Sequence, residues 1–209
     1  MKRLLIAGLL GLSPLFVKAQ AVVFRNSVKI AVEAVRVPGD DRLTPTLTYS
    51  VGYTRQLAAS RWMLEGGLGY INYYKREEFS PFNYYFNGGR SQRVFANFNL
   101  KFNLLTSNRH AFRLGAGPSI WYQRNGLVKN LSGEATPDFQ NVTNVSFTRG
   151  YSHTTNPGLN LLGEYEVAIT PEFSLGARAG FVTNLLPPNR LEPLLGTLAT
   201  AGLSAGYHF

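Results

Sequence analysis

The sequence contains three histidines and no cysteine, which limits the catalytic chemistry open to the chain. A nucleophilic hydrolase needs a serine, a histidine and a carboxylate within hydrogen-bond distance of one another. In the segment YSHTT, His153 lies between Ser152 and Thr154, but adjacent residues of a strand point to opposite faces. His110 and His208 lie far from this segment. We therefore predict no catalytic residues, and we expect that the protein is not an enzyme.

The same inventory argues against a bound metal ion or cofactor. Without cysteine there are no thiolate ligands, and the histidines are too dispersed in the sequence to indicate a metal site. The carboxylates do not have the spacing of a calcium-binding loop. No glycine-rich segment joins a strand to a helix as phosphate-binding loops do. The sequence thus predicts neither a metal nor a cofactor.

A different group of residues, four acidic and four basic, alternates with apolar neighbours along the chain. These residues are Lys29, Glu33, Glu65, Lys101, Arg113, Glu164, Glu166 and Arg178. Charged side chains that face the interior of a protein are costly unless they are paired. We interpret the group as a structural network of ion pairs on the inner face of a sheet. A gated polar pathway is the alternative interpretation.

The elements that must position these charges are strands. Apolar and polar residues alternate with a period of two, which fits strands better than helices. The eight stretches that show this pattern are SVKIAVEAV (27–35), TLTYSVGYT (46–54), WMLEGGLGYINYY (62–74), VFANFNLKFNL (94–104), FRLGAGPSIWY (112–122), LNLLGEYEVAI (159–169), FSLGARAGF (173–181) and a last one from about residue 197 to residue 209.

The connections between these strands alternate between short and long. Short turns are predicted at 58–60, 106–109 and 170–172, and long loops at 38–43, 75–91, 125–155 and 186–193. An up-and-down sheet with this alternation has all its short turns at one end and all its long loops at the other. That is the layout of a barrel of the outer-membrane type.

Two features indicate which face of the sheet points outward. The polar face is rich in glycine, which makes room inside a narrow eight-stranded barrel but weakens a strand on a solvent face. The apolar face carries aromatic residues near the strand ends, as lipid-facing surfaces do. These residues are Trp62, Tyr74, Phe112, Tyr122, Phe173, Tyr207 and Phe209. The pattern favours an apolar face turned toward lipid, and a soluble barrel with an apolar interior is the alternative.

The first segment, MKRLLIAGLLGLSPLFVKAQ, has a basic start, a short apolar run and small residues before Gln20. This pattern is typical of a secretory signal peptide, here predicted as residues 1–19 with one domain over 20–209. Its removal lowers the net charge from +9 to about +6, with 18 basic against 12 acidic residues. The remaining basic residues are scattered, which argues against nucleic-acid binding and fits weak attraction to anionic lipid headgroups.

The pattern Leu203-x-Ala205-x-Tyr207-x-Phe209 resembles the carboxyl-terminal signature that outer-membrane barrels present to their assembly machinery. The mature chain as a whole resembles the small eight-stranded barrels of the OmpA membrane-domain and OmpX type. This resemblance implies an all-β, eight-stranded, antiparallel, up-and-down transmembrane β-barrel. It also implies a monomer in the outer membrane of a Gram-negative bacterium, with outer-membrane lipid and the barrel-assembly machinery as partners.

The expected role is structural or surface-interacting, with a largely plugged polar lumen. A small porin-like channel, an outer-membrane lipid-modifying enzyme and a soluble periplasmic lipocalin-like carrier remain alternatives. The segment KREEFSPFNYYFNGGRS supplies candidate contacts for an extracellular ligand or surface partner, although these residues could equally pack over the barrel mouth. They are Phe79, Phe82, Tyr84, Tyr85 and Phe86.

Two registers follow from the predicted turns. If Ile169 faces Phe173, then Glu164 lies opposite Arg178. If Leu104 pairs with His110, then Lys101 lies opposite Arg113. Because like charges repel, the second pair needs an acid between its members. Glu65, on the preceding strand, is the candidate.

Overall fold

The computed structural model describes residues 26–36, 46–58, 60–79, 84–107, 109–135, 142–185 and 198–209. The predicted signal peptide, the loops predicted at 38–43 and 186–193, and Phe82 lie outside these residues. Within these ranges, no helix combines the length and the apolar character needed to cross a membrane.

Eight antiparallel strands form one closed barrel in which each strand pairs with its neighbours in the sequence. The strands are β1 Asn26–Arg36, β2 Thr46–Gln56, β3 Trp62–Phe79, β4 Tyr84–Thr106, β5 His110–Ala135, β6 Val142–Ala168, β7 Phe173–Asn184 and β8 Leu198–His208. The ring closes between β1 and β8, from Ser27 opposite His208 to Arg36 opposite Ala199. The all-β fold, the strand count and the up-and-down topology are as predicted.

The alternating pattern determines which side chains face out of the barrel. In β1, Ile30 is 62% exposed while Lys29 is 2% exposed, since successive side chains of a strand point to opposite faces. Phe98 at 63% and Leu203 at 72% repeat this arrangement on β4 and β8. The apolar face therefore covers the outside of the barrel and the polar face lines its interior.

The three short turns join the strands at the same end of the barrel. In the turn before β7, the amides of Ile169 and Thr170 both donate to the carbonyl of Phe173, at 2.9 and 3.1 Å. Because Ile169 thus faces Phe173, Glu164 lies opposite Arg178, as predicted.

The register predicted between β4 and β5 is wrong by two residues. Lys101 pairs with Gly115, and Arg113 pairs with Asn103. Next to the turn, Thr106 pairs with Ala111 and the difference is three residues, because the two strands stay paired further toward the turn than predicted. The register shift between Asn103 and Leu105 then reduces the difference to two.

Two segments predicted as long loops are strand extensions instead. β3 and β4 stay paired as far as Phe79 and Tyr84, and β5 and β6 as far as Ala135 and Val142. β5 therefore has 26 residues where β1 has 11. In the β5–β6 extension the side chains of residues 127–134 are exposed or half-buried on both faces, so the alternation fades while the backbone pairing continues.

The two extensions also touch each other beyond the barrel rim. Phe86 packs against Phe147 with ring centroids 5.1 Å apart. The Arg149 Nε donates to the Gly88 carbonyl at 2.9 Å. The β3–β4 and β5–β6 hairpins thus form one projecting structure, which we call the hairpin projection.

Glycine is required where β8 meets β1. A Cβ added to Gly202 would lie 2.1 Å from the Val32 carbonyl oxygen and 2.4 Å from the Glu33 Cα. Both neighbours are backbone atoms, which a rotamer change cannot move. Gly202 therefore allows the close approach of the two strands that close the ring.

We predict that Gly202→Ala weakens ring closure. The methyl group must displace backbone, so we expect a loss of at least about 1–3 kcal/mol in the free energy of unfolding. The measurement is a urea titration of the full chain refolded in detergent, followed by circular dichroism. Ala201→Val, a substitution at the adjacent outward-facing position, is the control and should leave stability nearly unchanged. Wild-type stability for Gly202→Ala would contradict the close approach.

Candidate functional site in the barrel interior

The structure brings all eight predicted charged residues together inside the barrel. Seven of them are buried, and the Arg178 side chain is 11% exposed. They come from six strands, since inward positions on β1, β3, β4, β5, β6 and β7 converge on one level of a narrow lumen. We call this group the charge network.

Glu164 on β6 is the centre of the charge network. It accepts hydrogen bonds from the Lys29 Nζ, from the Lys101 Nζ at 2.9 Å and from the Arg113 Nη1 at 2.8 Å. The Glu164 side chain is 1% exposed. One carboxylate therefore compensates three buried cations from three other strands, which charge-assisted hydrogen bonds make favourable.

Glu65 on β3 completes the pairing on one side of Glu164. It accepts a hydrogen bond from Lys101, and Arg178 reaches its Oε1 at 3.4 Å. Glu65 therefore does contact Lys101, but it does not lie between Lys101 and Arg113. Glu164 occupies that position, because it is the direct cross-strand partner of Arg113 and also accepts a hydrogen bond from Lys101.

Glu166 forms the side of the network nearest the short turns. The Lys29 Nζ donates to it at 2.7 Å, and Arg113 and the Ser174 hydroxyl donate to it as well. The His208 Nε2 lies 2.8 Å from its Oε1. The alternation that turns Tyr207 outward places His208 on the inner face, but it does not indicate the contact with Glu166, because β6 and β8 meet only across the interior.

This corner therefore contains a serine, a histidine and a carboxylate in mutual contact. The Ser174 Oγ lies 2.7 Å from the His208 Nε2, the same ring nitrogen that contacts Glu166. A catalytic relay needs the hydroxyl and the carboxylate on opposite nitrogens of the ring. Because both groups share Nε2, this arrangement orients side chains and does not build a nucleophile.

A second interior layer, which sequence reasoning missed, lies toward the long hairpins. It is a cluster of buried residues that includes Val35, Ile71, Tyr73, Phe95, Trp121, Val182 and Leu198. Arg93 is buried among aromatic rings in this layer, with its Cζ 2.9 Å from the Trp121 ring centroid and 5.9 Å from that of Phe95. The inward parity of Phe95 and Trp121 was the available signal, but it was hidden by the stronger apolar pattern of the outer face.

A layer of amide and hydroxyl side chains lies next to the apolar layer, on the side nearer the long hairpins. The Gln123 Nε2 donates to the Asn125 Oδ1 at 2.8 Å and to the Ser91 Oγ at 3.1 Å, and Ser91 donates to Asn125. All three side chains are at most 1% exposed. The described interior thus contains three successive groups of side chains: the charge network, the apolar layer and this amide and hydroxyl layer.

A cavity of about 30 Å³ separates the charge network from the apolar layer. Glu33 and Arg178 line it on one side, and Arg93, Phe95 and Leu198 on the other. A single water molecule needs roughly 10–15 Å³ measured in this way, so the cavity has room for about two.

The remaining predicted residues lie on the outer surface or beyond the barrel rim. Leu203, Tyr207 and Phe209 point outward and are exposed, and Ala205 shares their face. Of the aromatic residues proposed as loop contacts, Phe79 and Tyr84 pair at the ends of β3 and β4. Tyr85 is exposed, and Phe86 packs against Phe147 in the hairpin projection.

The other two histidines each contact one tyrosine on the outer face. His110 Nδ1 lies 2.8 Å from the Tyr165 hydroxyl, and His153 Nδ1 lies 2.7 Å from the Tyr122 hydroxyl. In the part of the chain that the structure describes, no three histidine, aspartate or glutamate side chains are grouped so that they could hold a metal ion.

We predict that Glu164→Gln destabilises the barrel strongly. A neutral amide leaves three buried cations under-compensated, and breaking buried pairs in this way costs about 3–5 kcal/mol. A urea titration of the refolded full chain in detergent measures the loss.

Glu33→Gln is the matched control, because the nearest cation to Glu33 is the Arg178 Nε, 4.0 Å away. We expect a clearly smaller loss for this variant. Adding Lys101→Met to Glu164→Gln should recover part of the stability, since it restores equal numbers of acidic and basic residues in the network. Equal losses for the two single variants would show that Glu164 is not the centre of the network.

Comparison with known proteins reveals relatives in structure only. No protein-family model matches the sequence, and no curated protein matches it. A major outer membrane protein from Thermus thermophilus superposes with a TM-score of 0.56 at 11% sequence identity, over 88% of this chain and 99% of that one.

Two further solved structures are similar over nearly their whole length. Neisserial surface protein A has a TM-score of 0.55 at 12% identity, over 88% of this chain and 97% of that chain. Ail, the attachment invasion locus protein of Yersinia pestis, in complex with the heparin analogue sucrose octasulfate, has a TM-score of 0.50 at 12% identity, with the same coverage. Together with the closed ring of eight antiparallel strands, these matches show that the chain has the fold of the small eight-stranded outer-membrane β-barrels.

Proposed function

We propose that the protein is an integral outer-membrane barrel whose role is structural or surface-interacting and whose lumen is plugged. The observation that carries this proposal is the inverted distribution of polarity. Large apolar side chains such as Ile30, Phe98 and Leu203 are more than 60% exposed, while Lys101, Arg113 and Glu164 are at most 2% exposed. In water this distribution would be unfavourable, because it exposes large apolar side chains to solvent and buries charged ones.

A closed barrel also suits a lipid environment because it leaves no unpaired strand edge. In hydrocarbon every backbone amide and carbonyl must find its partner within the protein. Pairing of β1 with β8 supplies the last set of partners. The outward apolar face argues against the soluble carrier, whose apolar face would line an internal pocket.

The charge network, the apolar layer and the amide and hydroxyl layer together support a plugged lumen rather than a porin-like channel. An ion crossing the barrel would have to disrupt the charge network, pass the apolar layer around Trp121 and separate Gln123 from Asn125. Between two of these levels lies a cavity of about 30 Å³. Each level is built from mutually bonded or packed side chains, so opening one costs several interactions at once.

The surface-interaction role is supported by the hairpin projection. β5 and β6, with 26 and 27 residues, extend well beyond the length of β1. Rigid paired strands hold side chains in place at a lower entropic cost than a loop would. The projection is the part of the described molecule best suited to contact another surface.

We expect the exported protein to fractionate with the outer membrane. On a gel it should show a band shift between unboiled and boiled samples, because a closed barrel resists detergent until it is heated. In a planar bilayer the refolded wild type should give no discrete current steps. Uniform steps would favour the porin-like channel, and a soluble protein without a band shift would contradict membrane insertion.

The lipid-modifying alternative is tested by mass spectrometry of lipopolysaccharide after incubation with the refolded barrel. We expect unchanged lipid. An altered product that disappears in His153→Ala or in Ser174→Ala would instead establish an enzyme.

We predict that the outward residues of β8 act during assembly in the cell. Phe209→Ser should lower the amount of barrel in the outer membrane several-fold, because it removes an apolar group that assembly machinery would bind. Refolding of the same variant from urea into detergent should be nearly normal. Phe173→Ser is the matched control, since Phe173 is an outward aromatic of similar exposure, 57% against 63%, and packs near Phe209 through Tyr207. Equal losses for both variants would indicate a general effect of lost apolar surface.

A further inference from the structure

The outer face of β3 to β6 carries basic and aromatic side chains in neighbouring cross-strand rows. One row runs from Tyr74 through Arg90 and Gly126 to Tyr151. The next runs from Asn72 through Gln92 and Arg124 to His153. Cross-strand partners lie on the same face of a sheet, so these side chains form one continuous surface.

The surface lies at the boundary of the apolar band. One step toward the short turns, Val94 is paired with Tyr122, and another step brings Ala96 opposite Ile120. Val94 and Ile120 are about half exposed. The basic rows therefore lie at the level where a lipid headgroup layer replaces hydrocarbon.

Aromatic rings hold both arginines in place. The Arg124 Cζ lies 3.9 Å from the centroid of the Tyr151 ring, and the Arg90 Cζ lies 5.4 Å from that of Tyr74. Arg90 also donates from Nε to the Asn72 Oδ1 at 3.1 Å. Each guanidinium is thus oriented before any ligand arrives, which lowers the entropic cost of binding.

Gly126 makes room for one of these rings. A Cβ at Gly126 would lie 3.2 Å from the Tyr151 Cε1, so a larger residue would push the ring outward. On the adjacent row, His153 is fixed by its contact with the Tyr122 hydroxyl. We call Tyr74, Arg90, Tyr122, Arg124, Tyr151 and His153 the basic belt.

The charge of the belt is not used within the barrel. Among the described residues, the arginines that pair with acids in the interior are Arg113 and Arg178, which serve the charge network. Arg90 and Arg124 instead contact tyrosines and an amide, and no acid among the described side chains pairs with either guanidinium.

The geometry points to a binding site in the basic belt for the phosphate groups of an anionic lipid headgroup in the leaflet that surrounds the loop-side half of the barrel. Guanidinium groups bind phosphate oxygens with paired hydrogen bonds. The tyrosines that flank them suit the interface, where one side of a ring contacts apolar chains and the hydroxyl meets polar groups. This inference rests on the proposed membrane location.

The test uses the refolded full chain in phosphatidylcholine nanodiscs that contain either bisphosphorylated lipid A or the same lipid after removal of both phosphates. Native mass spectrometry counts the lipid retained by the barrel. We expect retention of the phosphorylated form only. The variant Arg90→Gln/Arg124→Gln should weaken it by about 10- to 30-fold, since each basic residue near an anionic surface contributes about a factor of five.

Arg36→Gln is the control, because Arg36 is exposed at the loop-side end of β1, across the barrel from the belt. It should retain lipid as the wild type does. Equal retention of both lipid forms, or equal losses for Arg36→Gln and the double variant, would overturn the inference. Displacement of the lipid by millimolar inorganic phosphate would overturn the assignment to a lipid headgroup.

A vesicle flotation measurement distinguishes failure of the membrane proposal from failure of the belt inference alone. If the wild type does not float with vesicles of pure phosphatidylcholine, the proposed membrane location fails, and the belt inference fails with it. If it floats but shows no preference for phosphorylated lipid, only the belt inference fails. Flotation together with a preference that the double variant loses supports both.

Discussion

Pairing of β1 with β8 is the constraint on which the rest of the structure depends. It turns a sheet with two open edges into a ring in which every strand has two neighbours. The ring fixes a lumen too narrow to stay empty and too small for a wide channel. Gly202 permits the close contact at this seam. The interior layers and the apolar exterior follow from closure, since they are the two faces of the same ring.

The charge network shows how one level of such a lumen can be occupied by paired charges instead of apolar side chains. Three cations share Glu164, and Glu65 and Glu166 extend the pairing to either side. A buried network of this kind is weak evidence of high stability, because desolvation offsets much of the attraction. It does specify which strands lie opposite one another. In the observed register, Glu65, Glu164 and Glu166 meet the four cations of the network.

The sequence was informative where the two faces of a strand meet different surroundings. The outward parity of Leu64, Phe98 and Leu203 and the inward parity of Lys29 and Glu164 could all be predicted from alternation. The sequence was uninformative where both faces of a strand have the same surroundings. For this reason the pattern predicts a loop where the extensions of β5 and β6 lie. The bulge near Asn103 was also missed, because a single inserted residue shifts register without changing composition. The contact of His208 with Glu166 joins positions 42 residues apart across the lumen, which no local pattern records.

The seam between β1 and β8 also has a consequence for the order of events during biogenesis. Its partners, such as Val28 and Tyr207, stand at opposite ends of the described chain. The ring cannot close until β8 is available to pair with β1, so its closure waits for the two ends of the described chain to meet. Contacts of such long range form slowly. Until then the apolar outer face and the open strand edges have no partner, which leaves the unclosed chain prone to aggregation.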